Sequence, residues 1–281
     1  MLNYKRNPIP IIFMFYAICF IFRVIEYFIF RTDQSMIGEA FIHKLTGILL
    51  LAAVIPFFRY SWSEIGFSPK NTFRNILLGT LLGAVVFTAG YGIEILMQSI
   101  SGNFSGLKFY VTSYSTLGNR GMESSILFII ICIAGNMINV IMEEGVFRGL
   151  FVRLAEEKYS FPAACILSSV LFGIWHIMQP LRNVIDGNQS MAGALMAGLM
   201  LVATSTLLGI QYCMLFKLTG SLWAGMAAHF VNNTTVNLLH VATASGEDEL
   251  LTVRIAIAQT LSFLIVLFFY IYRNKRNRFH P

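Results

Sequence analysis

Long apolar runs separated by short polar stretches dominate the chain. Eight of them, at about 9–30, 41–58, 74–99, 124–148, 161–178, 191–216, 220–240 and 252–272, approach the roughly 20 residues of a membrane-spanning helix. Continuous apolarity over such lengths predicts helices, because barrel strands alternate over segments of about ten residues. Pro162 stands where a helix would start. Gly79 and Gly83 form a Gly-x-x-x-Gly pair that lets a neighbouring helix approach closely. The stretch 101–123, rich in Ser, Gly, Asn and Tyr, reads as a connection outside the bilayer. The first run carries Arg23 and Glu26 without a small-residue cleavage site after it, so it reads as a retained helix and not a signal peptide. The expected fold is all-α, a polytopic transmembrane bundle.

Composition agrees, with 56% hydrophobic and 12% charged residues and a mean hydropathy of +0.68, where a soluble domain carries about a quarter charged residues. Lys5, Arg6, Arg59, Lys70, Arg74, Arg153, Lys158, Lys217, Arg273, Lys275, Arg276 and Arg278 fall on one side of the expected topology. Fewer fall on the other: Arg31, Lys44, Lys108, Arg120, Arg182 and Arg254. This bias predicts an integral protein of the cell membrane with both termini cytoplasmic. It also accounts for the net charge of +6 without a nucleic-acid partner, and the basic end from Arg273 suits anionic membrane lipid. Cys19, Cys132, Cys165 and Cys213 lie in separate apolar runs and read as small buried hydrophobes.

Against this background Glu143, Glu144, Arg148, His176 and His229 are out of place. Charge at bilayer depth is costly and marks cavities, ion pairs or chemistry. At 100° per residue Asn136, Asn139 and Glu143 share one helical face, with Glu144 and Arg148 on a neighbouring one. Glu144 and Arg148 have the favourable i,i+4 order for an ion pair, which leaves Glu143 to point elsewhere. At about 1.5 Å per residue, Glu143 lies roughly 15–22 Å from the inner boundary, His176 about 22 Å and His229 about 14–18 Å. Similar depth predicts one shared site. His229 and Asn233, four apart, present hydrogen-bond donors on one face, and Phe172 covers His176 from one turn away.

Other polar residues read as peripheral. Arg23, Glu26 and Glu94 are placed to extend the cavity or pair across helices, although Arg23 and Glu26, three apart, would satisfy each other locally. His43 and His240 are expected at the interface, Trp175 and Trp223 in packing or against lipid, and Glu247, Asp248 and Glu249 in a solvated loop.

Glu143-Glu144-x-x-x-Arg148, Phe172-x-x-x-His176 and His229-x-x-x-Asn233, in that order, resemble the three motifs of the CPBP family, the CAAX-processing and bacteriocin-processing intramembrane proteases also called Abi. The resemblance implies three parts: 1–123, transmembrane helices without a recognisable motif; 124–240, the catalytic core; and 241–281, a last helix and basic cytoplasmic tail. It further implies hydrolysis of a peptide bond in a hydrophobic or membrane-associated peptide. Glu143 and His176 would activate a water, His229 and Asn233 would bind the oxyanion, and Glu144, Arg148 and Phe172 would support them. Glu143, His176 and His229 also make an acceptable ligand set for catalytic zinc, but the reading favours a water activated without a metal and no other cofactor. Two other functions fit such a cavity: a non-catalytic scaffold or immunity factor that holds a peptide, and a proton-coupled transporter.

Overall fold

A computed structural model describes residues 7–34, 40–112 and 124–279. Lys5, Arg6, Arg120 and part of the 101–123 connection lie outside the described residues, as does the side chain of Arg278. The helices in chain order are α1 (Ile9–Ile25), α2 (Ile42–Phe57), α3 (Thr72–Ile100), α4 (Ile126–Glu143), α5 (Val152–Glu156), α6 (Phe161–Trp175), α7 (Met178–Ile185), α8 (Met191–Thr219), α9 (Trp223–Leu238) and α10 (Leu251–Phe279). Two wide π-helical stretches interrupt them. Glu26–Phe30 extends α1, and Glu144–Phe151 joins α4 to α5 into one continuous rod.

Each expected apolar run coincides with a helix. Among the described residues, six helical runs have the length and apolarity to cross a bilayer: Ile9–Phe30, Thr72–Ile100, Ile126–Glu156, Phe161–Ile185, Met191–Thr219 and Leu251–Arg276. α2 and α9, at 16 residues each, reach only about 24 Å at 1.5 Å per residue. The protein is an all-α polytopic membrane bundle. Large apolar side chains such as Leu77, Leu81, Val85, Leu195, Leu199 and Phe268 face outward, as expected where the surrounding solvent is lipid.

Packing centres on two groups of helices. α1, α2, the 144–151 stretch and α6 bury Ile12, Leu51, Ile55, Phe147, Phe151, Phe172 and Trp175 in one continuous core. α3 lies along α9, α6 along α8, and α10 crosses α3 and α8. The Gly79–Gly83 pair makes the α3–α9 approach: a Cβ at Gly79 would overlap the Ala224 carbonyl, and one at Gly83 would lie 2.7 Å from Val231. Pro162 occupies the first turn of α6, as its fixed φ favours. Ser190 caps α8 by accepting from Gly193 N–H at 3.1 Å, and Gly220, at φ 71°, ends it.

One element departs from the helical expectation. Phe104–Phe109 (β1) pairs antiparallel with Leu239–Thr243 (β2), placing Leu107 opposite Val241 and Lys108 opposite His240. The acidic triplet, expected to be solvated, closes this ribbon. Glu247 meets Lys108 at 2.5 Å, and Asp248 bridges His240 at 2.5 Å and Arg254 at 2.8 Å. Asn103 donates to Glu249 at 2.9 Å. His240 is a ribbon residue buried against protein and stacked on Tyr110 at 3.8 Å. Glu94 pairs across helices with Arg254 at 2.6 Å, both fully buried.

Candidate functional site

The rod from Ile126 to Glu156 carries both glutamates well inside the bundle, because the helix continues past Arg148. Its wide stretch buries all eight residues from Glu144 to Phe151, and such π-helical turns recur at functional sites. Glu143, Asn139, His176, His229 and Asn233 line one cavity of about 190 Å³. The four residues expected to carry chemistry are thus brought together, one from the rod, one at the end of α6 and two from α9.

Both oxygens of Glu143 are held. Trp175 Nε1–H donates to Oε1 at 3.1 Å, and the Asn139 amide donates to Oε2 at 3.2 Å. Trp175, expected in packing or against lipid, is fully buried and holds the carboxylate through its indole N–H. His176 closes the C-terminus of α6, and its Nδ1 lies 2.9 Å from the Phe172 carbonyl. A carbonyl only accepts, so Nδ1 carries a proton and Nε2 of the neutral ring is bare. Phe172 packs edge-on to the His176 ring at 4.8 Å, as the spacing suggested.

His229 stands between the glutamates. Its Nδ1 lies 2.9 Å from Glu144 Oε1, and its Nε2 lies 3.7 Å from Glu143 Oε2. Glu144 therefore does more than pair with Arg148: it fixes which nitrogen of His229 looks into the cavity. The Glu144–Arg148 contact, at 3.2 Å, is a charge contact out of hydrogen-bond alignment. Arg148 lies instead over the faces of Phe172 at 3.8 Å and Tyr212 at 5.4 Å. Tyr212 in turn stacks on His229 at 5.1 Å. Phe172 and Tyr212 thus tie the Arg148 charge to the two histidines. Asn233 lines the cavity and accepts from the Asn232 amide at 2.9 Å.

The first two helices, which carry no motif, supply the opposite wall through Arg23, Tyr27 and Lys44. The expected local Arg23–Glu26 pairing does not occur. Glu26 instead accepts from the peptide N–H groups of Ile42 and His43 at 2.8 and 2.6 Å and from His43 Nδ1 at 2.5 Å, capping the start of α2. His43 is accordingly fully buried. Its Nε2 accepts from Arg23 Nη1 at 3.0 Å. Further round the wall Arg182 forks both oxygens of Asp33 at 2.8 Å.

Zinc would need Glu143, His176 and His229 to close on one point at about 2.0–2.2 Å. Among the described residues no three His, Cys, Asp or Glu side chains are grouped to do so. The cavity wall also bears Arg23 and Lys44, whose charge opposes a divalent cation.

Residues 125–235, which contain every residue of the three motifs, match the family model described as type II CAAX prenyl endopeptidase Rce1-like. Over 218 residues the chain is 24% identical to the Bacillus subtilis (strain 168) protein named "Putative membrane peptidase YdiL", covering 75% of this chain and 76% of that one.

Proposed function

The chain is a CPBP-family integral membrane protein with its Rce1-like segment at residues 125–235, and from that premise we propose that it is a metal-independent intramembrane endopeptidase in which Glu143 activates the attacking water. The observation that carries this reading is the Glu143 carboxylate held from behind by Trp175 and Asn139 and facing a cavity shared with His176, His229 and Asn233.

Glu143 takes the proton of a water that the bare Nε2 of His176 helps to orient, and later delivers it to the leaving amine. With His229 Nδ1–H donating to Glu144, Nε2 is the nitrogen left to face the cavity, and the Asn233 amide beside it is the donor for the carbonyl oxygen of the substrate. Donors preorganised for the oxyanion are worth about 3–4 kcal/mol each in such sites. The substrate is a hydrophobic or membrane-associated peptide, since the cavity opens within a bundle whose outer surface is apolar. Several cations assigned to the outer end, Lys44, Arg182 and Arg254, are buried inside the protein.

The test is cleavage of a panel of fluorogenic hydrophobic peptides by the purified protein and Glu143→Gln, each with and without a zinc chelator. Cleavage by the wild type, lost in the variant and unaffected by chelator, is the expected result. Equal cleavage by both proteins would remove Glu143 as the base. Loss on chelation with recovery on adding zinc would replace the metal-free reading.

A further inference from the structure

Arg23 is a guanidinium without a carboxylate. It is 5% exposed on an otherwise apolar helix, and the carboxylates of Glu26 and Glu143 each stand one ring away, behind His43 and Trp175. Among the described residues it forms no ion pair. Glu26, the nearest acid in sequence, is used by the first turn of α2 and by His43. Asp33, on the same cavity wall, is forked by Arg182. The partners of Arg23 are neutral: His43 Nε2 at 3.0 Å, the Tyr27 hydroxyl at 3.2 Å and the face of Trp175 at 4.4 Å, while its Nε has no hydrogen-bond partner.

These contacts hold the charge still and place it on the cavity. The Trp175 indole meets Arg23 with its face and Glu143 with its N–H edge. One ring therefore separates the cation from the proposed base, and both line the same space. An anion docked on Arg23 would lie close to the bond being cut.

We infer that Arg23 is a substrate-binding residue that receives a carboxylate of the peptide, from its C-terminus or an acidic side chain near the scissile bond. This rests on the peptidase reading for its substrate, and it adds a selectivity residue from a helix outside the Rce1-like segment. Desolvated guanidinium–carboxylate pairs are strong and directional, so the site selects charge close to the cleavage point.

The test uses equilibrium binding of a fluorescein-labelled hydrophobic peptide in detergent micelles, followed by anisotropy, with Glu143→Gln protein so that no turnover occurs. The peptide is made as the free acid, as the C-terminal amide, and as the amide with Asp or Asn near its end. One carboxylate-bearing form is expected to bind about tenfold more tightly than its neutral twin, as a charged hydrogen bond allows. The acid–amide gap identifies a terminal carboxylate, and the Asp–Asn gap a side chain. Adding Arg23→Gln should erase the gap while leaving the neutral peptides unchanged. Equal binding of charged and neutral forms to the Arg23 protein overturns the inference even if Arg23→Gln fails to fold, and so does a gap that survives the substitution. Cleavage of the same peptides by the wild type is scored separately: a binding gap without cleavage sinks the peptidase reading alone.

Discussion

Trp175 and Glu143, brought together from α6 and α4, are joined by an indole N–H that donates to the carboxylate at 3.1 Å in a fully buried setting. The bond orients the acid without altering its charge, because indole has no proton to exchange at ordinary pH. Trp175→Phe keeps most of the packing and removes the donor. A hydrogen bond to a charged group contributes about 1.5–3 kcal/mol, so kcat should fall by roughly ten- to a hundredfold with KM little changed. Steady-state kinetics on any cleaved peptide checks this, and a loss confined to KM would contradict it.

Glu144 and Glu143 should differ in what they stabilise. Glu144 neutralises Arg148, which is fully buried, and orients His229, whereas Glu143 faces a cavity. Removing one member of a buried pair typically costs about 3–5 kcal/mol. Glu144→Gln should therefore lower the melting temperature in detergent clearly, and Glu143→Gln far less. Combining Glu144→Gln with Arg148→Met should recover part of the loss, measured as a double-mutant cycle.

Acid should loosen the β1–β2 ribbon through Asp248. Burial alone would raise its pKa, but hydrogen bonds from His240 and Arg254 outweigh that and hold it below the ordinary 3.8. A carboxyl depressed in the folded state contributes stability that is present above its unfolded value and lost as pH falls through the folded value. Melting temperature should thus begin to drop as pH goes below about 4. Asp248→Asn should be less stable at neutral pH and show a flatter acid limb. Parallel acid limbs in the two proteins would remove Asp248 as the cause.

The α3–α9 contact gives a packing test. Gly79→Leu drives a side chain into the backbone of Ala224, whereas a Cβ at Gly92 meets nothing within 4 Å. Overpacking costs typically about 1–3 kcal/mol, while Gly→Ala in an open helical position gains up to about 1 kcal/mol. Thermal unfolding of Gly79→Leu and Gly92→Ala should move in opposite directions.

Spacing made the four-residue core of the site legible, because Glu143, His176, His229 and Asn233 are polar interruptions at helical intervals in apolar runs. The residues around that core were hidden for a physical reason. Trp175 is legible as apolar bulk, and only its contact with a residue 32 positions away reveals the donor. The second role of Glu144 depends on His229, 85 positions away, while its local partner Arg148 supplied a sufficient explanation by itself. The i,i+3 spacing offers Glu26 to Arg23, but the start of α2 and His43 use that carboxylate. The ribbon escaped notice because its strands of six and five residues are short beside the helices. His240 and Tyr110, bonded across it, are 130 positions apart.

That ribbon meters the axial position of α9. β2 begins at Leu239, directly after the last residue of the helix that carries His229 and Asn233, and its partners in β1 are fixed residue by residue. A one-residue slip of β2 against β1 would reverse the faces of its paired side chains. His240 would leave its Asp248 contact and Lys108 its place beside Glu247. The end of α9 nearest His240 is therefore clamped to β1, and a register slip there would cost both ion pairs at once.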